Sequence, residues 1–252
     1  AGIAVLRGAE PAVDAAHALV RYAQARREWQ ADQAGRAALM LPGLPLPAAA
    51  GAVASMPAQR LLEACGVATA RIALAQSAEE AVSAAQALGY PVALKIESPD
   101  ILHKTEAQGV QLGLKDAAAV RAAFAAVMAG ARRYRAAARI EGVVVQAMAG
   151  GDVELVIGRH NDAVFGMGVM VGLGGIHIEV LKDVAFRKAP VTAVAAGRML
   201  DELKGRAILD GVRGRAAVNR AALERMISAV SVFGAAAGGR LRELDLNPVL
   251  AG

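Results

Sequence analysis

From Ala37 to Gln59 the chain carries no charged residue and is interrupted by Pro42, Pro45, Pro47 and Pro57. An uncharged run of that length is long enough to span a bilayer as a helix. The prolines remove backbone donors and break such a helix repeatedly, so the run reads as an apolar linker. It divides the sequence. Before it, Pro11 to Trp29 has the period of one amphipathic helix, with Val13, Ala16, Leu19, Val20 and Ala23 on a common face. One helix cannot bury a core alone. The opening Ala1-Gly-Ile-Ala-Val-Leu-Arg7 has neither an initiator Met nor a basic-then-apolar signal layout. The expectation is therefore a remnant of an upstream region, residues 1–36, cut from a longer protein and followed by a linker over 37–56.

After the linker, helix and strand signals alternate. Ala58 to Cys65 predicts a short helix ended by Gly66, and Val67 to Ala75 a strand. Ser77 with Glu80 forms a capping box that opens a helix ending at Gly89. Tyr90 to Ile96 and Gly109 to Leu114 predict strands, and Asp116 caps an alanine-rich helix to about Arg135. The β-branched runs Gly142 to Met148, Val153 to Arg159 and Val164 to Val171 follow at short spacing, which predicts an antiparallel meander. Helices near Val194 to Leu203 and Arg220 to Gly234 precede a strictly alternating strand, Arg240 to Val249. The expected fold class is α+β with two lobes, 57–139 and 140–252.

Composition narrows the functional classes. Alanine accounts for 61 of 252 residues and aromatics for 3%, so helices should pack through methyl groups at close range. With 56% hydrophobic residues the chain is not of disordered composition, and no fixed period marks a repeat array. The net charge of +5 permits an anionic ligand or nucleic acid. Its densest clusters, Arg21, Arg26 and Arg27, then Arg132, Arg133 and Arg135, have no aromatic platform between them, which argues for solvated helix faces and against nucleic acid. The single Cys65 excludes an internal disulfide and fits a reducing, cytoplasmic setting, as a buried inert thiol beside Leu61 and Leu62. Neither a membrane nor a nucleic-acid partner is expected.

Three stretches could carry chemistry. Lys95 lies mid-strand between Leu94 and Ile96, where an ammonium needs an anion or the sheet edge. The loop after it, Ser98-Pro-Asp-Ile-Leu-His-Lys-Thr-Glu-Ala-Gln-Gly109, brings together His103, able to accept a proton or phosphoryl group, and Lys104, able to neutralise phosphate. A solvated polar loop is the alternative reading. Gly172-Leu-Gly-Gly175 permits close backbone approach to a ligand, with Glu179, Asp183, Arg187 and Lys188 following. In Arg242-Glu-Leu-Asp-Leu-Asn-Pro248, strand alternation puts Glu243, Asp245 and Asn247 on one face. Hard oxygen donors of that kind suit Mg²⁺, which takes one or two carboxylates plus phosphate oxygens; an edge strand with its polar face in water is the other reading. Together these stretches suggest a nucleotide site between two lobes.

At this level of detail the residues resemble a known family. From Met56 onward the chain is similar to the ATP-grasp domain of the NDP-forming acyl-CoA synthetases, such as ADP-forming acetate–CoA ligase, which are relatives of succinyl-CoA synthetase. The matching stretches are Leu88-Gly-Tyr-Pro-Val-Ala-Leu-Lys-Ile96, Ser98-Pro-Asp-Ile-Leu-His-Lys104, Gly109-Val-Gln-Leu-Gly-Leu114 and Gly142-Val-Val-Val-Gln-Ala-Met148. They continue through Phe165-Gly-Met-Gly-Val-Met-Val-Gly-Leu-Gly-Gly-Ile176, Glu179-Val-Leu-Lys-Asp-Val-Ala-Phe-Arg187 and Glu243-Leu-Asp-Leu-Asn-Pro248.

The resemblance implies a two-lobed ATP-grasp fold holding ATP or ADP with Mg²⁺ between the lobes. It implies that Lys95 binds nucleotide phosphate and that Gln146, Ala147 and Met148 form the hinge where backbone meets adenine. It puts Gly174, Gly175, Glu179, Asp183 and Arg187 near the phosphates, with Glu154 also on the nucleotide side. Asp245 and Asn247, joined by Glu243, would form the Mg²⁺ strand. His103 would relay the phosphoryl group on a mobile loop, assisted by Lys104 and Arg187, so that acyl-CoA, phosphate and ADP become acid, CoA and ATP through phosphohistidine. CoA and the acyl substrate would be bound by domains outside this chain, and the full-length enzyme could form a homo-oligomer. Two departures stand out. Gln108-Gly109 replaces the family's paired glycine, and one further metal-ligating strand is expected beyond Gly252. A carboxylate–amine ligase and a non-catalytic nucleotide- or CoA-sensing module of a protein acyltransferase are the alternatives.

Overall fold

The computed structural model describes residues 8–39, 43–48, 51–162, 164, 166–175, 181–212, 214 and 216–252. Helix α1 (Ala9–Ala37) runs well past the predicted Trp29 and has no buried residue. Its C-terminal half is tethered to the body by an ion pair from Arg198 to Glu28 and hydrogen bonds from Thr192 to Asp32 and from Arg36 to the Lys188 carbonyl. The linker is not a free tether. Leu44 and Leu46 pack against a hydrophobic core, and Arg240 donates to the Leu46 carbonyl at 2.7 Å.

The first lobe is a four-stranded antiparallel sheet of β1 (Ile72–Ala75), β2 (Val92–Glu97), β3 (Val110–Leu114) and β4 (Gly142–Ala147), in the order β1-β4-β2-β3. Helices α3 (Ala78–Leu88) and α4 (Ala117–Tyr134) cover one face. Both begin where the side chains of Ser77 and Asp116 accept the hydrogen bonds of Glu80 N–H and Ala119 N–H, as the capping signals predict. Val92, Leu94 and Ile96 share a core with Val120 and Val127, so strand alternation turns Lys95 and Glu97 to the opposite face.

The second lobe is another antiparallel sheet, ordered β7-β6-β5-β8, from β5 (Val153–Asp162), β6 (Gly166–Leu173), β7 (Val184–Lys188) and β8 (Glu243–Ala251). Helices α5 (Ala193–Glu202) and α6 (Arg220–Ala237) pack on one face through Met199, Leu200, Leu223, Ile227, Val230 and Phe233, against Leu155, Ile157, Val169 and Val171. The segment Arg220–Arg240 is long and apolar enough to cross a membrane, but these contacts make it a core helix here. Pro248 is accommodated because β8 is an edge strand.

One sheet assignment differs from expectation. The β-branched pattern groups the run 142–148 with the following meander and divides the lobes near residue 139. Instead β4 is a central strand of the first sheet, between β1 and β2, with Val143 and Val145 in the first core. The meander is β5-β6-β7, and the chain changes sheet after β4. Helix α2 (Ser55–Ala64) also crosses the sequence order. It precedes the first lobe, yet Leu61 and Leu62 sit with Val67 in the second lobe's core. Fully burying two leucines contributes about 3–6 kcal/mol, enough to hold α2 against that lobe.

Candidate functional site: two open sheet faces

The uncovered face of the first sheet carries Lys95. It is flanked across the ladders by Val144 and Val110, with the Ala93–Gln146 pair in the next row. Among the described residues the Lys95 ammonium has no hydrogen-bond or ion-pair partner. Burial pulls its pKa below the ordinary lysine value, and the nearby Lys104 charge adds to the effect. A desolvated cation without an anion is a standing cost that an anionic ligand removes. The strand end behind it is occupied in part by the protein's own backbone. Ala147 N–H donates to the Arg71 carbonyl at 2.9 Å and Met148 N–H to the Pro91 carbonyl at 3.3 Å, while the Met148 side chain is exposed.

The loop between β2 and β3 leaves His103 exposed near its tip. Its backbone is folded on itself: Ala107 N–H donates to the His103 carbonyl and Gly109 N–H to the Lys104 carbonyl, at 3.3 and 2.8 Å. Gln108, at φ 52, takes the left-handed conformation of the turn, so the Gln108-Gly109 departure is accommodated. Lys104 is not free. Its Nζ lies 2.9 Å from Oε2 of the buried Glu97.

On the second sheet the uncovered face of β8 presents Glu243, Asp245 and Asn247, as the alternation predicts. Asp245 lies across from Gly158, which pairs in turn with Met170, and Met170 with Phe186. This transverse row floors an open cavity of about 410 Å³ that also has Val156, His160 and Asn247 on its wall. Desolvation raises the pKa of Asp245, and repulsion by Glu243 raises it further, while a hydrogen bond from Asn247 lowers it. Among the described residues no three His, Cys, Asp or Glu side chains converge as a closed metal cage. Two carboxylates and an amide oxygen on one open face instead suit a hard cation that keeps room for outside oxygens. Sequence reading missed Gly158, Met170, Phe186 and His160. Their only signal is the alternation of β5, β6 and β7, and it acquires meaning once the registers among these strands and β8 are known.

The glycine segment closes against β5. Gly174 N–H donates to the Glu154 carbonyl at 2.7 Å, and a Cβ at 174 would sit 3.1 Å from that carbonyl. Gly175 has φ 61, and a Cβ there would lie 3.5 Å from Glu154 Oε2. Glu179 lies outside the described residues.

Two predicted phosphate-side residues are placed elsewhere. Asp183 is buried, and its two oxygens accept the N–H groups of Lys204 and Gly205 at 2.7 and 2.8 Å, so it closes the turn after α5. Arg187 pairs with Val169, a residue of the helix-covered core, and its guanidinium binds Glu202 of α5. It therefore stands on the opposite side of the sheet from Asp245.

Comparison with known proteins identifies the family and the fold. A sequence profile of the ATP-grasp domain matches residues 46–252. The chain is 40% identical over 194 residues to the β subunit of ADP-forming acetate–CoA ligase I from Pyrococcus furiosus, covering 77% of this chain and 83% of that subunit. It is 41% identical over 196 residues to the ADP-forming 4-hydroxybutyrate–CoA ligase of Nitrosopumilus maritimus, but spans only 27% of that protein. Among solved structures, the Ca. Korarchaeum cryptofilum dinucleotide-forming acetyl-coenzyme A synthetase 1 in complex with coenzyme A, Ca-AMPCP and HgCl⁺ superposes with a TM-score of 0.76. The identity is 37%, over 79% of this chain and 86% of that one. The same synthetase with coenzyme A and Mg-AMPPCP, its phosphohistidine segment pointing towards the nucleotide binding site, superposes with a TM-score of 0.66 at 34% identity. That match covers 78% of this chain and 84% of the other.

Proposed function

This chain belongs to the ATP-grasp family, with the β subunits of ADP-forming acyl-CoA ligases as relatives, and from that premise we propose that it is the nucleotide-binding, phosphoryl-transferring part of such a ligase. The observation that carries the reading is Lys95, a desolvated ammonium without an anion partner among the described residues, on the open face of one sheet. The other sheet's open face supplies the complementary group, Glu243, Asp245 and Asn247. A nucleoside diphosphate or triphosphate has anionic oxygens for the first and shares a hard cation with the second.

In this reading Lys95 holds phosphate oxygens, Glu154, Gly174 and Gly175 border the phosphates, and Gln146 to Met148 line the base. Glu243, Asp245 and Asn247 would hold Mg²⁺, which neutralises phosphate charge when bound. Met170 and Phe186 give the site an apolar floor. His103 is the proposed acceptor: an imidazole nitrogen forms a bond to the terminal phosphorus as the bond to the ADP oxygen breaks, and the reverse step makes ATP. This reading assigns no role to Arg187 and Asp183, whose side chains are engaged by Glu202 and by the 204–205 turn. The conversion of acyl-CoA, ADP and phosphate to acid, CoA and ATP is proposed for the assembled enzyme, in a reducing cytoplasm, with CoA and acyl group held by other regions.

Calorimetry with ADP, GDP and ATP, with and without Mg²⁺, tests the binding half. Tighter binding with Mg²⁺ is expected, and no binding of any nucleotide would reduce the reading to a shared fold. Labelling the assembled enzyme with γ-³²P-ATP tests the chemistry. Acid-labile label that disappears in His103→Ala is expected, and undiminished label in that variant would remove His103 from the mechanism.

A further inference from the structure

Helix α2 touches both lobes. At its C-terminal end Leu61 and Leu62 are built into the core of the second. At its N-terminal end Ser55 reaches the first, where its N–H and Oγ donate to the two oxygens of Glu97 at 2.7 and 2.6 Å. The same carboxylate accepts the Lys104 ammonium at 2.9 Å, one residue beyond His103. Glu97 is buried. Burial alone would raise its pKa, but the donations from Ser55 and Lys104 outweigh that and hold it below the ordinary glutamate value. One buried anion thus joins two segments that are distant in sequence.

The rest of the loop is fastened independently. Asp100 accepts Arg139 N–H and Gln108 accepts Arg133, each at 2.7 Å, and Gly109 is hydrogen-bonded to β2 through Ile96 N–H at 2.7 Å. With both ends held by these contacts, the Lys104–Glu97 pair is the charged contact nearest the tip that carries His103.

We propose that Glu97 is a positioning residue for His103, coupling the loop through Lys104 to the interlobe helix α2 through Ser55. This rests on the reading of His103 as phosphoryl acceptor. In this proposal a displacement of the second lobe is carried along α2 from Leu61 and Leu62 to Ser55, and so to Glu97. A phosphoryl group on His103 competes with Glu97 for the same ammonium, so acquiring the group frees the loop from the helix.

Glu97→Gln tests this, because the amide keeps one oxygen to accept from Ser55, and its NH2 can donate to the Ser55 hydroxyl, but it carries no charge for Lys104. In the full chain, hydrogen exchange over 98–109 is expected to quicken about tenfold while the rest of the first lobe keeps wild-type rates. Nucleotide affinity should stay within about twofold, while phosphorylation of His103 in the assembled enzyme falls severalfold. Ser55→Ala, which touches neither loop nor nucleotide, should also quicken exchange over 98–109. Unchanged exchange there in both variants, or uniform quickening across the lobe, would overturn the coupling. Should Glu97→Gln fail to fold, Lys104→Met with Glu97 intact gives the same reading on the loop side, and unchanged exchange would again overturn it. Absence of label on wild-type His103 would overturn the acceptor reading instead, and that experiment is separate from exchange.

Discussion

Asp245 stands opposite Gly158 where β8 pairs with β5, and the missing side chain at 158 leaves the space in front of the carboxylate open. A Cβ at 158 would lie 3.4 Å from Met170 Cε, 3.5 Å from the Leu244 carbonyl and 4.0 Å from Asp245 Oδ1, all ordinary contacts. Gly158→Ala should therefore fold normally, whereas Gly158→Leu fills the cavity. The expected result is near-wild-type melting for both, with nucleotide affinity lowered at least about tenfold, or roughly 1.4 kcal/mol, in the leucine variant alone. Calorimetry with MgADP measures it, and equal affinity would remove this row from the site.

Asp245 itself gives a pH signature. Desolvation, then Glu243, raises its pKa above the ordinary 3.8, so the folded state holds that proton more tightly than the unfolded chain. The ionised carboxylate costs stability at neutral pH. That cost fades as pH falls through the raised pKa and is gone below the ordinary value. Asp245→Asn should melt at or above the wild-type temperature at pH 7, with the gap closing near pH 3–4. It should also lose most of the Mg²⁺-dependence of nucleotide binding. A lower melting temperature at pH 7 would contradict the repulsion.

Lys95 behaves conversely. Burial and Lys104 depress its pKa, so its protonated form costs stability below the depressed value, and the cost lifts as pH rises through it and is gone above the ordinary 10.5. Lys95→Met should leave the melting temperature at pH 7 unchanged or raise it, while weakening ADP and ATP binding by at least about tenfold. Thermal melts beside calorimetry separate these two effects. A residue whose removal leaves the fold no less stable but weakens binding is retained for the ligand.

The loop carrying His103 rests on α4 at Gly130, where a Cβ would come within 2.8 Å of the Ala107 carbonyl and 2.9 Å of the Gln108 carbonyl. In an exposed helix, Gly to Ala gains about 1 kcal/mol. Here the methyl meets backbone that cannot step aside cheaply, and overpacking costs about 1–3 kcal/mol. Gly130→Ala should melt lower and be cleaved faster within 98–109 by limited proteolysis. A higher melting temperature would show that the loop is not seated there.

Legibility in the sequence followed the range of the interaction responsible. The capping residues Ser77 and Asp116 marked the starts of α3 and α4 because a cap is satisfied within four residues. The alternation of β8 placed Glu243, Asp245 and Asn247 together because period two is a property of the strand itself. The run Val143 to Val145 gave no comparable guide. Its β-branched side chains suit the interior of either sheet, and the choice is made by ladders to β1 and β2, some 50 to 70 residues earlier in the chain. Arg187 is a similar case: its neighbours in sequence carry charge, but its face is set by pairing with Val169.

The elements, the caps at Ser77 and Asp116, the α+β class and the common face of Glu243, Asp245 and Asn247 are readable from the chain alone, since these depend on local propensity, periodicity and side-chain chemistry. Tertiary structure alone decided which face each strand shows, which helix joins the lobes and which charges are already spent. Lys95 is left without a described partner while Lys104, Arg187 and Asp183 are engaged by Glu97, Glu202 and the 204–205 turn. The physical reason is that desolvation and pairing depend on what packs around a group, and those neighbours are brought in by long-range register.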